Sequence, residues 1–384
     1  MSTVKQEHIT KRVTLQDVAN RCGVTKASAS MALRGNKRIS EATTARIVAA
    51  ALELGYSPEL NDAARRLSHL RSNTTVINHV VAAFLPTNFY SRTEGFLSEM
   101  FRGMIDVLEE KGYALLINYI RADNNDLPSV FSRGDVDGAI VFSRGGGIIN
   151  QIQTLRKNIG FNNRTIVSLL GEMEGCALVN TDDFQATYEA VTHLLLLGHR
   201  HIIQCIYQAY APEELPSPND RVKGAQKAIA DFGLNPDKYL HLFEVDPLLT
   251  GAETLPTNLH LSNKAVPDAD LTRELLAYLD KHSEITAIVA LNDPTAIHLW
   301  HILDNAGISV PKNISIIGFD DNFPMMDDDG ENMLSSIRIP LQEIGREAAR
   351  LVIQLVNGEV PPEEKRILQH ELIIRKSLAQ AKKK

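Results

Sequence analysis

The strongest constraint on the fold is a series of helix-start and turn signals near the N-terminus. Thr14 can cap a first helix, because Asp17 follows three residues later and faces the free amides of the first turn. Gly23 suits a turn that needs a positive φ, and Thr25 can then cap a second helix from Lys26 to about Leu33. This order of cap, turn and cap predicts two short helices joined by a tight turn.

A third helix is predicted from Glu41 to Leu54, with Ser40 as its cap. Apolar residues recur along it at the spacing of a buried helix face, namely at Ile47, Ala50, Ala51 and Leu54. In the first helix, Ala19 is small enough to let the second helix cross closely. The sequence therefore predicts an N-terminal all-α domain of three helices.

The residue order of this region resembles the DNA-binding headpiece of the lactose/galactose-repressor (LacI/GalR) family of bacterial transcriptional regulators. The segments that carry the resemblance are Val13-Thr-Leu-Gln-Asp-Val-Ala19, Gly23-Val-Thr-Lys-Ala-Ser-Ala-Ser30, Leu54-Gly-Tyr-Ser-Pro58 and Ala63-Ala-Arg-Arg-Leu67. In that family the headpiece is a helix-turn-helix domain whose second helix lies in the major groove, and a hinge helix follows that docks in the minor groove. The resemblance implies duplex operator DNA as a partner.

Charge is distributed along the chain in a way that agrees with this partner. Residues 1–72 contain 12 Lys and Arg against 6 Asp and Glu, a net charge of +6, whereas the remainder is net −13. A basic end on an acidic body concentrates affinity for phosphate in the N-terminal part. The alternative interpretation of residues 13–56, an ordinary three-helix packing domain, does not require this asymmetry.

The resemblance assigns ten residues to DNA contact. They are Thr14, Thr25, Lys26, Ala27, Ser28, Ser30, Met31 and Arg34 in the helix-turn-helix part, and Arg65 and Leu67 in a hinge helix expected over Asp62–Leu67. Lys26 could bond guanine O6 or N7, whereas Ala27 can only touch a thymine methyl group. Met31 stands where relatives often carry Arg or His, and Arg34 where they often carry Asn. The operator sequence therefore cannot be copied from a relative.

After Ser72 the pattern changes to short apolar runs separated by helical stretches, which is typical of a parallel α/β sheet. Predicted strands are Val76–Leu85, Tyr113–Tyr119, Gly138–Phe142, Thr165–Leu170, His201–Tyr207, Tyr239–Phe243, Ala287–Ala290, Ile314–Phe319 and Arg366–Ile374. Predicted helices include Glu94–Lys111, Phe184–Leu197, Asp220–Phe232, Asp293–Ala306 and Leu341–Val356. So many strands favour two packed α/β lobes over one large sheet.

Further segments resemble the effector-binding core of the same family, which has a two-lobed periplasmic-binding-protein-like fold. They are Val136-Asp-Gly138, Val179-Asn-Thr-Asp-Asp183, Leu197-Gly-His-Arg200, Arg221-Val-Lys-Gly224, Ala290-Leu-Asn-Asp293, Ala306-Gly-Ile-Ser-Val-Pro311 and Ile317-Gly-Phe-Asp-Asp321. The fold class implied is a helix-turn-helix headpiece with a hinge helix, followed by a two-lobed α/β core with parallel sheets.

The expected domains are a headpiece at 1–60, a hinge helix and linker at 61–73, and an effector-binding and dimerisation core at 74–384. In this fold the chain crosses between the lobes three times, and we place the crossings near Asn180, Arg338 and Val360. The expected N-lobe is then about 74–180 and 338–359, and the expected C-lobe about 181–337 and 360–376.

Candidate effector-binding residues follow from their places at strand ends, because ligands of open α/β sheets bind beyond the carboxyl ends of strands. Asn292 and Asp320 follow predicted strands, and Arg221 begins a helix that faces the same gap. These side chains offer the planar hydrogen bonding that sugar hydroxyls require, and by resemblance the three positions contact the effector. Phe89 and Tyr90 could supply an apolar wall. The alternatives are helix caps for Asn292 and Asp320, and plain loop packing for the two aromatic residues.

Other candidate sites lack the spacing that their chemistry needs. His298 and His301 share a helix face without an evident third ligand, so they are expected to pack the helix, and no metal is expected. Asp293 is expected to cap that helix. No Ser/His/Asp or Cys/His arrangement can be assembled by motif, so we expect neither catalysis nor a cofactor. Cys22, Cys176 and Cys205 form no disulfide or zinc pattern, which fits a reducing cytoplasm.

The sequence as a whole predicts a cytoplasmic, dimeric transcriptional regulator, and specifically a repressor controlled by a sugar or sugar derivative bound between the core lobes. The N-terminus is polar, so no signal peptide is expected, and no run of apolar residues is long enough for a membrane span. The alternative is a solute-binding or sugar-processing protein on the same two-lobed fold. The identity of the effector, and whether it induces or co-represses, stay open.

Overall fold

The computed structural model describes residues 13–33, 36, 38–54, 56, 77–86, 93–120, 135–143, 165–207, 216–246 and 268–382. The chain divides into two compact units, Met1–Ile77 and Asn78–Lys384. The predicted hinge helix with Arg65 and Leu67 lies outside the described residues, as do Arg34, Phe89 and Tyr90. Their assigned roles stay predictions.

The described part of the first unit contains α1 (Leu15–Cys22), α2 (Lys26–Leu33) and α3 (Glu41–Leu54). Each helix begins behind a hydroxyl side chain, as the sequence predicts. The Thr14 Oγ1 accepts from the Asp17 amide at 3.4 Å while the Asp17 carboxylate accepts from the Thr14 amide at 2.7 Å, which is a complete capping box. Thr25 Oγ1 accepts from the Ser28 amide at 3.1 Å, and Ser40 Oγ from the Thr43 amide at 3.3 Å.

Small side chains let these helices pack closely around one core. The buried cluster consists of Val18, Ala19, Ala29, Ala32, Ile47, Ala51 and Tyr56. Between α1 and α2 the chain turns at Gly23, whose φ of 63° lies in the left-handed region that glycine adopts without strain. The predicted all-α, helix-turn-helix architecture of the N-terminal domain is confirmed.

The described residues of the second unit form two six-stranded sheets. The first has the order β11-β5-β4-β3-β1-β2 and contains β1 (Val80–Pro86), β2 (Ala114–Ile120), β3 (Gly138–Phe142), β4 (Ile166–Leu169), β5 (Ala177–Thr181) and β11 (Lys365–Leu368). The second has the order β12-β10-β9-β8-β6-β7 and contains β6 (His201–Tyr207), β7 (Leu240–Val245), β8 (Ile285–Val289), β9 (Ser315–Asp320), β10 (Ser335–Arg338) and β12 (Glu371–Ile373). The strands pair in parallel, except that β12 lies antiparallel to β10.

Helices cover both sheets, as expected for parallel strands that are buried on two faces. They are α4 (Ser98–Glu110), α5 (Asp183–Leu196), α6 (Pro216–Asp231), α7 (Pro236–Tyr239), α8 (Ala269–Lys281), α9 (Asp293–Asn305) and α10 (Leu341–Asn357). Helix α10 packs on α4 and on β3, β4 and β5 of the first sheet, while α5 packs on α6 and contacts β8 and β12 of the second. A two-lobed α/β core is therefore confirmed.

Several elements differ from the sequence predictions. The stretch predicted as one strand, Arg366–Ile374, forms two short strands in different sheets, because the chain crosses between the lobes after Leu368. The expected crossing near Val360 and the expected C-lobe segment 360–376 are wrong for this reason. Strands β5 and β10 and helix α8 were not predicted as elements; β5 and β10 are too short for a clear pattern.

In the described part of the chain, no helix combines the length and the apolar character needed to cross a membrane.

Candidate DNA-binding and effector-binding sites

The buried side of α2 identifies the opposite side of the helix as the accessible one. Ala29 and Ala32 are buried against the headpiece core. With 3.6 residues per turn, Ala27, Ser30 and Met31 then lie on the outward side of the helix. Ala27 is exposed, and Ser30 and Met31 are half-buried. This face is the part of the headpiece that could enter a groove of DNA.

Two of the predicted DNA-contacting hydroxyls take part in capping α2. The Thr25 and Ser28 hydroxyl oxygens lie 2.8 Å apart, and Thr25 also accepts from the Ser28 amide. Thr14 likewise donates its hydroxyl hydrogen to Asp17 at 2.6 Å. Lys26, at the start of α2, is exposed. Among the described residues, Lys26 is therefore the long basic donor that sits at the amino end of the candidate recognition helix.

In the second unit, a glycine and a phenylalanine at the end of β9 position the surrounding polar residues. Gly318 has no side chain because a β-carbon there would overlap the carboxylate of Asp293. Phe319 is buried, and the guanidinium carbon of Arg221 lies 3.4 Å from the centre of its ring. Asp320 follows at the carboxyl end of the strand, 8% exposed, with a φ of 91°. The end of β9 therefore packs the Arg221 guanidinium on the Phe319 ring and carries the Asp320 carboxylate as its last residue.

Arg221 is held from three sides. Its Nε donates to Asp183 at 2.9 Å, its Nη1 donates to the carbonyl oxygen of Leu291 at 2.7 Å, and Phe319 supports its flat face. Both charged side chains are buried, with relative accessibilities of 6% for Arg221 and 3% for Asp183. Because the two hydrogen bonds use two of its five N–H groups, Arg221 keeps donors for a ligand.

Arg221 contacts the two chain segments that carry the other predicted effector-binding residues. Arg221 bonds Leu291, which directly precedes Asn292, and it stacks on Phe319, which directly precedes Asp320. Asn292 and Asp320 therefore both lie at the carboxyl ends of neighbouring parallel strands, β8 and β9, as the sequence predicts.

Asn292 has the capping role that the sequence left as an alternative. Its Oδ1 accepts from the Thr295 amide at 2.9 Å, so the amide nitrogen is the part that could contact a ligand. The expectation that Asp293 caps α9 is wrong. The Asp293 carboxylate instead accepts from the amides of Asn322 and Phe323 and from the Ser336 hydroxyl, at 2.8, 3.2 and 2.5 Å. Complete burial raises its pKa well above the usual range, despite these hydrogen bonds.

A charged network that the sequence analysis missed lies where β10 leaves the second sheet. The carboxylate of Asp321, whose side chain is 5% exposed, accepts from two arginines: the Nη1 of Arg375 at 2.6 Å and the Nη2 of Arg338 at 2.7 Å. Arg338 also reaches Glu371 at 3.3 Å. The network ties the end of β9 to two of the three chain segments that run between the lobes, the one after Arg338 and the one before Glu371. Its members are far apart in the chain, so no spacing motif signals it.

A cavity of about 290 Å³ opens beside the first crossing between the sheets. Its lining includes Asn180 and Thr181 at the end of β5, Asp183 at the start of α5, Leu170 after β4, and Asp220 on α6. Arg221, Asn292 and Asp320 are not among the lining residues. Asp183 is the link between the two places, because it faces the cavity and also holds Arg221.

Each of the two units contains a match to a known protein family. Residues 14–59 match a family model described as bacterial regulatory proteins, lacI family, and residues 191–378 match one described as a periplasmic binding protein-like domain. A similar protein is the HTH-type transcriptional regulator CelR of Thermobifida fusca, 24% identical over 371 residues, with 96% of this chain and 98% of that protein covered.

Two solved structures extend the comparison. A LacI-family regulator from Enterococcus faecium with bound ribose is 25% identical, with a TM-score of 0.60 over 79% of this chain and 100% of that one. The lac repressor dimer bound to operator and the anti-inducer ONPF has a TM-score of 0.64 over 96% of this chain and 100% of that one. At 18% identity the latter shows the shared fold alone.

Proposed function

We propose that this chain, which belongs to the LacI family of bacterial regulatory proteins and is a DNA-binding transcriptional regulator, is a repressor. Its affinity for the operator changes when a carbohydrate binds between the lobes of its core. The proposal involves binding and switching, with no catalytic step. We expect the protein to act in the cytoplasm, where it meets DNA.

The carbohydrate proposal depends on Arg221, which Asp183, Leu291 and Phe319 hold in a fixed position close to the segments of Asn292 and Asp320. A buried guanidinium contacts Leu291 and Phe319, and an amide nitrogen and a carboxylate follow these two residues at the carboxyl ends of β8 and β9. Hydroxyl groups of sugars both donate and accept hydrogen bonds, so they need this mixture of donors and an acceptor in fixed positions. The similar regulator from Enterococcus faecium was solved with ribose, which agrees with a ligand of this class.

The proposed switch uses the connections between the lobes. A ligand changes the arrangement of the lobes only when it binds one arrangement more tightly than another. Asp321 joins the end of β9, directly beside Asp320, to Arg338 and Arg375 near the crossing segments. A ligand at Asp320 therefore lies next to residues that would have to move when the lobes close or open.

On the DNA side, we propose that the outward face of α2, with Lys26, Ala27, Ser30 and Met31, contacts base edges in the major groove. Two headpieces are needed to read the two halves of a pseudo-palindromic operator, so the active form is proposed to be a homodimer. The lac repressor, which shares the fold, was solved as a dimer on its operator. Arg34, Arg65 and Leu67 are proposed to add contacts on the basis of the family resemblance.

The test begins with DNA. Duplexes selected from a random pool by the full-length protein should converge on a pseudo-palindromic sequence. The affinity for that sequence should fall steeply with salt, because bound Lys and Arg displace counterions from phosphates. Failure to enrich any sequence, together with salt-insensitive or absent DNA binding, would favour the alternative of a solute-binding protein.

The effector is tested separately by thermal shift against sugars and sugar derivatives. At a hundred times its dissociation constant, a ligand that binds only the folded protein should add about 2.7 kcal/mol of stability. The same compound must then change the affinity for the selected operator. A panel in which no sugar stabilises the protein, while nucleobases or other compounds do, would overturn the carbohydrate assignment and leave the DNA-binding function intact.

A further inference from the structure

Imidazole and carboxylate side chains converge at the end of the second sheet that is opposite to the candidate effector site. His201 is the first residue of β6, His241 lies near the start of β7, and Glu284 directly precedes β8. Because these three strands run parallel, their amino ends lie at one edge, whereas Asn292 and Asp320 lie at the carboxyl ends. The cluster is therefore separate from the site proposed above.

The distances within the cluster suit a small cation. The Nδ1 of His201 lies 3.1 Å from the Nε2 of His241 and 3.8 Å from the Oε1 of Glu284. The three ligand atoms all lie within 4.8 Å of one another. Ligands bound tetrahedrally to zinc at about 2.0 Å are separated from each other by about 3.3 Å. Small side-chain rotations would bring all three atoms to that separation.

Neighbouring groups hold the rings in place. His282, at the end of α8, places its Nδ1 3.5 Å from the same Glu284 oxygen, and its ring lies 5.1 Å from that of His241. Tyr239 packs at 4.8 Å from His201, and Tyr278 at 4.7 Å from His282. A partner that fixes the orientation of a ligating carboxylate or imidazole raises the affinity of a metal site.

The backbone also aims one of the histidines. The pairing between β6 and β8 shifts register between His201 and Ile202, an irregularity that can redirect a side chain at a strand end. The His201 and His282 side chains are half-buried, with relative accessibilities of 19% and 27%, while Glu284 is 42% exposed. An ion could therefore reach the three ligand atoms from solvent.

The charge states agree with ligation. Partial burial, and then the neighbouring His201 and His282, lower the pKa of His241, so its ring is neutral at pH 7 and can offer a lone pair. Its own backbone amide, and then His282, lower the pKa of Glu284, so the carboxylate is ionised. Burial, and then the neighbouring Glu284, raise the pKa of Tyr278, so its phenol beside the cluster is uncharged at pH 7.

We propose that His201, His241 and Glu284 bind one divalent transition-metal ion, Zn²⁺, with water completing the coordination and His282 orienting the carboxylate. Two imidazoles and one carboxylate form a donor set that suits zinc. The ion would join the starts of β6 and β7 to the turn before β8, and so would stabilise the second lobe.

The test uses the full-length, untagged protein after treatment with a chelator. Zn²⁺ titrated at pH 7.5 in a calorimeter should bind with one ion per chain and raise the melting temperature. Co²⁺ in its place should give the intense visible absorption of a four-coordinate site. Lowering the pH to 5.5 should weaken the binding at least tenfold, because protonated imidazole cannot ligate.

Three variants decide whether these residues are the ligands. His241→Gln and Glu284→Gln should each weaken Zn²⁺ binding at least tenfold and abolish the cobalt absorption, whereas His193→Gln should change neither. His193 is a matched control, since it is a half-buried histidine on α5 outside the cluster. Circular dichroism without metal verifies folding, and Glu284→Gln, at an exposed position that keeps the shape, is the variant least able to disturb it.

Two results would overturn the proposal. The first is a wild-type protein that binds no Zn²⁺ with one-to-one saturation at pH 7.5, in which case the 3.1 Å contact is a hydrogen bond between two histidines. The second is binding that is equally strong in the His241 and Glu284 variants and in the His193 control, which would place the ion elsewhere. Neither result bears on DNA or carbohydrate binding, because the cluster shares no residue with those sites.

Discussion

The headpiece and the effector end of the core are built on different ranges of interaction. In the headpiece, each helix start is fixed by a hydroxyl that bonds an amide three residues later, as in Thr14 with Asp17. At the core site, Arg221 bonds Asp183, which is 38 residues away, and the carbonyl of Leu291, which is 70 residues away. The first kind of contact joins residues that are close in the sequence, and the second forms only when the lobe folds.

The two regions should also respond differently to substitution. A lost cap exposes one amide near the surface, and water can replace the missing partner. A lost member of a buried ion pair leaves a charge in a place that water reaches poorly.

The largest effect on stability is expected from Arg221→Ala. Asp183 would stay buried without the positive charge of Arg221, and the free energy of unfolding should fall by about 3–5 kcal/mol in urea denaturation followed by circular dichroism. Arg221→Met combined with Asp183→Leu should recover much of this loss, because no charge is then buried. Lys227→Ala, which removes an exposed pair with Asp231, serves as the control and should change little. A loss for Arg221→Ala no larger than that of the control would contradict the buried-pair argument.

Asp320→Asn tests the ligand side of the core. The substitution keeps the shape but turns one acceptor oxygen into a donor, so the affinity for the effector should fall by about 1–3 kcal/mol in calorimetry. Operator affinity without effector should stay as in the wild type, because the headpiece is a separate unit. Lost DNA binding with normal ligand affinity would instead identify Asp320 as a structural residue.

Lys26→Ala tests base recognition by the headpiece. Specific operator binding should weaken by about 1–3 kcal/mol, and preference should relax at one base position. The matched control is Arg46→Ala, which removes a positive charge from the exposed side of α3. That variant should weaken binding to all sequences alike. If Lys26→Ala leaves the discrimination between operator and random DNA unchanged, Lys26 contacts phosphate and does not read a base.

The smallest effect is expected from Thr14→Ala, which removes one half of the capping box. The headpiece should lose about 1 kcal/mol of stability, measured as a lower midpoint of its thermal unfolding transition. Thr14→Ser keeps the hydroxyl and should behave as the wild type. A loss for Thr14→Ala as large as that for Arg221→Ala would remove the distinction between local and long-range contacts on which this comparison depends.

Sequence reasoning succeeded where a motif is local. The bounds of α2 and α3 were predicted from caps and spacing, and the strand ends at Asn292 and Asp320 from apolar runs. It was less decisive for polar residues at helix starts. Asn292 was identified as a candidate ligand residue with a cap as the alternative; its Oδ1 caps α9 by accepting from the Thr295 amide, and a ligand role for its amide nitrogen stays a prediction. Asp293 was expected to cap, and its carboxylate instead holds the loop after β9.

The histidine cluster shows the same limit more sharply. In the sequence, His298 and His301 are the histidines whose spacing places them on one helix face, and no third ligand accompanies them, so no metal is predicted. The structure buries both on α9. It instead brings together His201 and His241, which lie 40 residues apart on neighbouring strands, and Glu284 from a turn. These three residues are close only because their strands pair, so no spacing along the chain could indicate the cluster.

By itself, the sequence determined the three-helix headpiece, the alternation of strands and helices, and the basic N-terminal end, because each depends on residues within a few positions of one another. Only the tertiary structure decided that Lys365–Leu368 and Glu371–Ile373 belong to different sheets, that Arg221 lies against Phe319, and that Asp321 joins Arg338 to Arg375. The physical reason is that a short strand or a charged side chain has many possible partners in the unfolded chain. Packing of the whole lobe selects one of them.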